Sequence, residues 1–141
     1  VMGRCLIVEA DGGSRGNPGV AGSGALVIDG ETGEVLAEVG FYIGTATNNV
    51  AEYNGMLAGL KRAFAIDPAG EVHVRMDSKL VVEQMTGRWK IKHPDMQALA
   101  AQARSLTRGR QVTFEWIPRA ENARADALAN RAMDGKTHFG Q

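Results

Sequence analysis

Apolar and polar positions change period along the chain, and the changes mark out its elements. Cys5-Leu6-Ile7-Val8-Glu9-Ala10-Asp11 is a nearly continuous apolar run that delivers an aspartate to the glycine-rich segment Gly12-Gly13-Ser14-Arg15-Gly16-Asn17-Pro18-Gly19. A short apolar run bounded by turn residues predicts a strand over 5–11 followed by a turn. Strands are also predicted over 23–29 and 34–43, with Asp29-Gly30-Glu31-Thr32-Gly33 turning the chain between them, so the first three strands form an antiparallel meander. The period then becomes helical: Tyr53, Met56, Leu57, Leu60 and Phe64 share one face, and Asp67-Pro68-Ala69-Gly70 stops the helix. Val72, Val74 and Met76 alternate as a strand, 80–85 and 96–106 predict two helices, 112–117 a last strand and 121–133 a last helix. The order βββαβααβα predicts an α/β fold with a five-stranded mixed sheet, an antiparallel meander plus parallel strands, and helices on both faces.

The 141 residues suit a single domain over 1–141, a size that buries roughly 70% of the surface its unfolded chain exposes. Cys5 is the only cysteine, so no internal disulfide can form. Within an apolar strand it is expected to be a buried, inert thiol, and a reducing cytoplasm is the expected compartment. No stretch approaches the ~18 consecutive apolar residues of a membrane span, and the start lacks the layout of a signal peptide, so no membrane partner is expected. Val1 ahead of Met2 reads as a residue added before the natural start. Sixteen basic residues balance sixteen acidic ones, which excludes a global attraction to nucleic acid and leaves only local binding. The densest basic segment is Arg88-Trp89-Lys90-Ile91-Lys92-His93. Its composition suits a grip on a phosphate backbone and a plain solvated loop equally well.

Acids stand at four pointed places. Asp11 ends the first apolar run, Glu52 opens the first helical pattern, Asp77 closes an alternating strand, and Asp126 lies in the last, alanine-rich helix. Each has an ordinary alternative: Asp11 as a turn former, Glu52 as the partner of an Asn49 helix cap, Asp77 as the cap of the next helix, Asp126 as an exposed helical acid. Spacing weighs against those alternatives for two of them. Glu52 borders the apolar stripe through Tyr53 and Met56, and Asp126 precedes Ala129 and Met133 on one helical face, so both point to the sheet. If Asp11 and Asp77 close neighbouring strands, the acids converge, and such a cluster is stable only when protonated or neutralised by cations. All-oxygen ligands favour Mg²⁺ or Mn²⁺ over zinc, and His73, His93 and His138 are too scattered to form a cluster.

Four segments together, Asp11-Gly12-Gly13-Ser14-Arg15-Gly16-Asn17-Pro18-Gly19, Thr47-Asn48-Asn49-Val50-Ala51-Glu52, Asp77-Ser78 and Asn122-Ala123-Arg124-Ala125-Asp126-Ala127-Leu128-Ala129, resemble ribonuclease HI in order and spacing over nearly the whole chain. The resemblance implies a ribonuclease H-like fold and an endonuclease that cuts the RNA strand of RNA/DNA hybrids with two Mg²⁺ ions, Mn²⁺ substituting, to leave 5′-phosphate and 3′-hydroxyl ends. It implies Asp11, Glu52, Asp77 and Asp126 as metal ligands: Asp11 bridging both ions, Asp77 and Asp126 each holding one side, Glu52 also orienting the 2′-hydroxyl. It further implies Gly12, Gly13, Ser14, Asn17, Thr47, Asn48, Asn49 and Lys79 as substrate contacts, in a monomer that reads 2′-hydroxyls rather than bases. A silent hybrid-binding module and a resolvase- or integrase-like nuclease are the competing readings. The intact set of acids opposes the first, and the Asp-Gly-Gly and Thr-Asn-Asn-Val-Ala-Glu segments oppose the second.

The chain departs from many members of that family in two places. Only residues 87–95 connect the helices where those members carry a long basic, tryptophan-rich protrusion, so weaker hybrid binding or reliance on a partner is expected. Before the last helix, Trp116-Ile117-Pro118-Arg119 replaces a flexible histidine, as in shorter bacterial and archaeal forms. Arg119 is thus a candidate catalytic residue that holds phosphate or product, because a permanently charged guanidinium donates hydrogen bonds but does not shuttle protons. The sequence is most similar to actinobacterial ribonuclease H domains, which are often fused to a C-terminal acid-phosphatase-like domain. A continuation beyond residues 134–141 is therefore expected.

Overall fold

The computed structural model describes residues 4–140, so Val1 and Met2 lie outside the described residues. Three strands open the chain: β1 (Cys5–Gly16), β2 (Gly19–Asp29) and β3 (Val35–Ala46). β1 and β2 exceed their predicted spans because the glycine-rich segment continues β1 instead of turning. The register runs from Asp11 opposite Gly24 to Gly16 opposite Gly19, which leaves the reversal to Asn17 and Pro18. These glycines serve closeness more than turning. A Cβ on Gly12 would overlap the Ala51 carbonyl of the first helix, and one on Gly24 would lie 2.5 Å from the Ala129 nitrogen of the last. Both helices rest directly on sheet backbone.

The rest of the chain comprises α1 (Asn48–Ile66), β4 (Glu71–Met76), α2 (Lys79–Met85), α3 (Pro94–Thr107), β5 (Val112–Trp116) and α4 (Ala123–Gly135). A 3₁₀ turn, Arg119–Glu121, precedes α4. This turn moves the helix start two residues past the predicted 121, because the Asn122 N–H bonds back to the Arg119 carbonyl. The sheet order is β3-β2-β1-β4-β5, with β1, β2 and β3 antiparallel and β1, β4 and β5 parallel. The expected mixed five-stranded sheet is therefore present.

Leu6, Val8, Val72, Val74 and Met76 from the sheet pack with Tyr53, Met56 and Leu60 of α1 into the larger core. Leu26 and Ile28 meet Ala125 and Leu128 of α4 on the opposite face. α4 packs across β1, β2 and β3, so among the described residues no helix covers the outer face of β4 and β5. Cys5, expected buried, is exposed for that reason. It is the first residue of β1, it points away from the core that Leu6 and Val8 enter, and among the described residues no helix covers its neighbour β4 there. Among the described residues no helix is long and apolar enough to cross a membrane.

The β1–β4 ladder ends at Glu9 opposite Arg75, whereas β1 continues on its other side with β2. This is the place in an open α/β sheet where a crevice forms beyond the carboxyl ends of parallel strands. Asp11 and Asp77 come two residues later on each chain.

Candidate active site

Asp11 sits mid-strand and is only 7% exposed, so the turn-former alternative is excluded by its pairing with Gly24. Carboxylate oxygens of Asp11, Glu52 and Asp77 all lie within 4.8 Å of one another. Asp126, in the first turn of α4, lies outside that cluster of three but lines the same cleft and adds its charge to the crowding of Asp11. The four predicted acids thus meet in one open cleft of about 330 Å³. The capping alternatives fail as well. Thr47, not Asn49, caps α1 by accepting from the Val50 N–H at 3.3 Å, and Ser78, not Asp77, caps α2 by accepting from the Val81 N–H at 3.3 Å. Glu52 and Asp77 are left free for the cleft.

Crowding has the electrostatic result expected of like charges in a partly dry place. Burial first, then the charge of Asp77 and the proximity of Asp126, push the Asp11 carboxyl up to about 7. Burial and the Asp11 and Asp77 charges hold Glu52 well above the usual carboxylate range. One Glu52 oxygen, Oε2, is buried without any hydrogen-bond partner. An orphaned acceptor among converging carboxylates fits a hard divalent cation, which would supply the missing charge and bond.

Asn122 was not picked out from the sequence, and it builds the site from below. It is buried, and its Nδ2 donates to Asp77 Oδ1 at 2.8 Å and to the Ala10 carbonyl at 2.9 Å. An asparagine just ahead of a helix reads as a cap, yet its side chain makes no capping bond here. Trp116 holds the same aspartate from the backbone side, its Nε1 donating to the Asp77 carbonyl at 3.2 Å.

Gly12, Gly13, Ser14 and Asn48 line the cleft, as do Arg119 and four residues not anticipated as contacts, Arg15, Ala129, Asn130 and Met133. Asn17 and Thr47 stand beside it in a hydrogen-bonded corner. Ser14 N–H donates to Asn48 Oδ1 at 2.8 Å, and Asn48 N–H donates to Asn17 Oδ1 at 3.1 Å, tying the β1–β2 hairpin to the start of α1. Asn49 is exposed on the first turn of α1. Lys79 lies outside the cleft lining, its ammonium 5.9 Å from the half-exposed Trp116 ring. Arg119 makes no salt bridge among the described residues.

The short basic connection divides in two. Arg88 is committed to Glu83 by bonds of 2.8 and 3.0 Å, while Lys90 and Lys92 are exposed and Trp89 is 44% exposed. Buried Gln84 anchors the segment, accepting from the Tyr53 hydroxyl at 2.6 Å and donating to the Lys90 carbonyl at 3.4 Å.

The chain is similar to known proteins in sequence and in fold. A family model described as reverse transcriptase-like matches residues 9–132. Bifunctional protein Rv2228c of Mycobacterium tuberculosis is 58% identical over 130 residues, which is 92% of this chain and 35% of that protein. Ribonuclease HI of Halobacterium salinarum is 45% identical over 88% of this chain and 62% of its own length. The chain thus spans about a third of the first of these curated relatives and under two thirds of the second. Among solved structures, the N-terminal RNase H domain of Rv2228c superposes with a TM-score of 0.89 at 56% identity, covering 94% of this chain and 95% of that one. LC11-RNase H1, in complex with an RNA/DNA hybrid, superposes with a TM-score of 0.88 at 42% identity, covering 93% and 98%.

Proposed function

The chain belongs to the reverse transcriptase-like family, among the ribonucleases H, and on that premise we propose that it hydrolyses the RNA strand of RNA/DNA hybrids with two divalent cations, leaving 5′-phosphate and 3′-hydroxyl ends. The observation that carries this reading is the meeting of Asp11, Glu52 and Asp77 within 4.8 Å around a buried, unpartnered Glu52 oxygen. Asp11, Glu52, Asp77 and Asp126 are the residues to hold Mg²⁺, with Mn²⁺ as substitute. Bound there, the pair of cations supplies charge that activates the attacking water and stabilises the departing 3′ oxygen.

The chain's own groups position the substrate. Gly12 and Gly13 line the cleft with backbone alone, where the minor groove of a hybrid can lie and its 2′-hydroxyls mark the RNA strand. Glu52 orients one of those hydroxyls. The corner of Ser14, Asn17, Thr47, Asn48 and Asn49 offers amides and N–H groups to the DNA backbone, and Lys79 offers its ammonium to the RNA strand. Arg119 supplies a fixed cation with a planar fork of donors for the scissile or product phosphate. Asn122 fixes one Asp77 oxygen so that the other faces the cleft.

The domain is read as a cytoplasmic monomer. A fused further domain is supported by the relative named bifunctional, of which this chain matches 35%, and its phosphatase-like character is part of the proposal. The activity is tested by incubating the purified chain and Mg²⁺ with labelled RNA/DNA hybrid, RNA duplex and DNA duplex. The expected result is cleavage of the RNA in the hybrid alone. Binding of the hybrid without cleavage would instead identify a silent binding module, and cleavage of the DNA duplex would identify a nuclease of another type.

A further inference from the structure

Glu9 is 2% exposed and carries a full charge partner on each oxygen. Arg75 Nη1 donates to its Oε2 at 2.9 Å, and Arg124 Nη2 donates to its Oε1 at 3.2 Å. Arg75 also reaches Glu121 Oε1 at 3.3 Å and lies 3.6 Å from Glu115 Oε1, which in turn meets His73 Nε2 at 2.8 Å. None of these residues lines the cleft.

Their place in the chain is regular. Glu9 stands two residues before Asp11 on β1, Arg75 two before Asp77 on β4, and Arg124 two before Asp126 at the start of α4. Residues two apart on a strand share a face, so Glu9 lies directly beneath Asp11 on β1, while Arg75 stands two residues before Asp77, which lies just past the end of β4. The Glu9–Arg75 pair is also the last rung of the β1–β4 ladder before the cleft opens. Below the site three of the four carboxylate-bearing elements, β1, β4 and α4, are therefore joined by ionic hydrogen bonds, while above it the carboxylates crowd one another.

A buried ion pair adds little net stability over well-packed apolar side chains, but its hydrogen bonds are directional and fix relative position. We propose that Glu9, Arg75 and Arg124 form a brace that sets the spacing of Asp11, Asp77 and Asp126, and through that spacing the affinity of the site for divalent cations. They are positioning residues, and the proposal rests on the metal-binding reading above.

Charge signs separate a brace from a mere field. If the three residues act only through electrostatic potential, Glu9→Gln removes a negative charge and weakens cation binding, whereas Arg75→Gln removes a positive charge and strengthens it. A brace is broken by either change. Calorimetric titration of Mn²⁺ into hybrid-free protein should then show both variants weakened, by about ten- to a hundredfold as for other groups that orient metal ligands. The dependence of cleavage on Mg²⁺ concentration should shift in parallel, with turnover recovered at saturating Mg²⁺ and hybrid affinity without divalent ion unchanged.

Glu9→Gln combined with Arg75→Gln leaves net charge as in the parent, removes the risk of a lone buried charge, and should still bind Mn²⁺ weakly. Parent-like affinity in this double variant, or tighter binding in Arg75→Gln, overturns the brace. A parent that binds Mn²⁺ but cuts no hybrid overturns the proposed activity and leaves the brace to be judged by the same titrations. A parent that binds no Mn²⁺ overturns both.

Discussion

Asp77 is pulled in two directions, held by the Asn122 amide at 2.8 Å and crowded by Asp11 and Glu52. Asp77→Asn keeps an oxygen for Asn122 and removes the charge. It should abolish Mg²⁺-dependent cleavage, retain hybrid binding, and raise the melting temperature in metal-free buffer by relieving repulsion. Parent-like turnover, or a lower metal-free melting temperature, would contradict the clustered geometry. At Arg119, alanine should lower turnover by about 10²-fold, the scale of one lost electrostatic contact in a preorganised site. Arg119→Lys should recover part of that loss, and Arg119→His should recover it mainly at low pH, where imidazole is charged. Best performance of the histidine variant at high pH would show proton transfer instead. The convergence of the four acids was legible in the sequence because Asp11 and Asp77 follow apolar or alternating runs and the helical period sets the face that Glu52 and Asp126 present. Asn122 was not, since its two partners, Ala10 and Asp77, lie 112 and 45 residues away, and no local pattern records a bond of that span.

At the scale of elements, the basic segment between α2 and α3 gives a graded expectation. Arg88 already serves Glu83, whereas Lys90 and Lys92 are exposed. Lys90→Ala with Lys92→Ala should weaken hybrid binding and flatten its salt dependence by up to ~0.7 to 0.9 logarithmic units per lost phosphate contact. Arg88→Ala should alter the slope little. An unchanged slope in the lysine variant would make this segment an ordinary solvated loop. Helices and strands were legible here to within a few residues, but the glycine-rich hairpin was not. Glycine signals a turn when read locally, while in the fold Gly12 and Gly24 are strand residues that make room for α1 and α4. That demand comes from packing across the sheet. Trp89 is 44% exposed on the short connection that Gln84 anchors through the Lys90 carbonyl.

For the whole molecule, the raised acids link folding to pH and metal. Asp11 titrates near its ordinary value of 3.8 when unfolded and at about 7 when folded. Between those values the folded chain binds more protons, so stability falls as pH rises, and Glu52 acts with the same sign. In buffer with chelator the melting temperature should therefore drop from about pH 4 to about pH 7, and Asp11→Asn should flatten that slope. Added Mg²⁺ should stabilise the protein most at the high end of the range, because the cation binds the ionised acids. A flat metal-free profile would mean that the acids do not repel one another. The mixed pairing followed from the succession of elements, but the strand order and the part of the sheet that α4 leaves bare did not, and the misplaced Cys5 records that gap. The central claim is attack by a water molecule at a two-cation site, and the ends of the cut RNA test it most directly. Cleavage of a labelled hybrid in Mg²⁺ should give 5′-phosphate and 3′-hydroxyl termini and stop on chelation. Termini bearing 2′,3′-cyclic phosphate, formed in the presence of chelator, would show attack by the RNA's own 2′-hydroxyl and contradict the account.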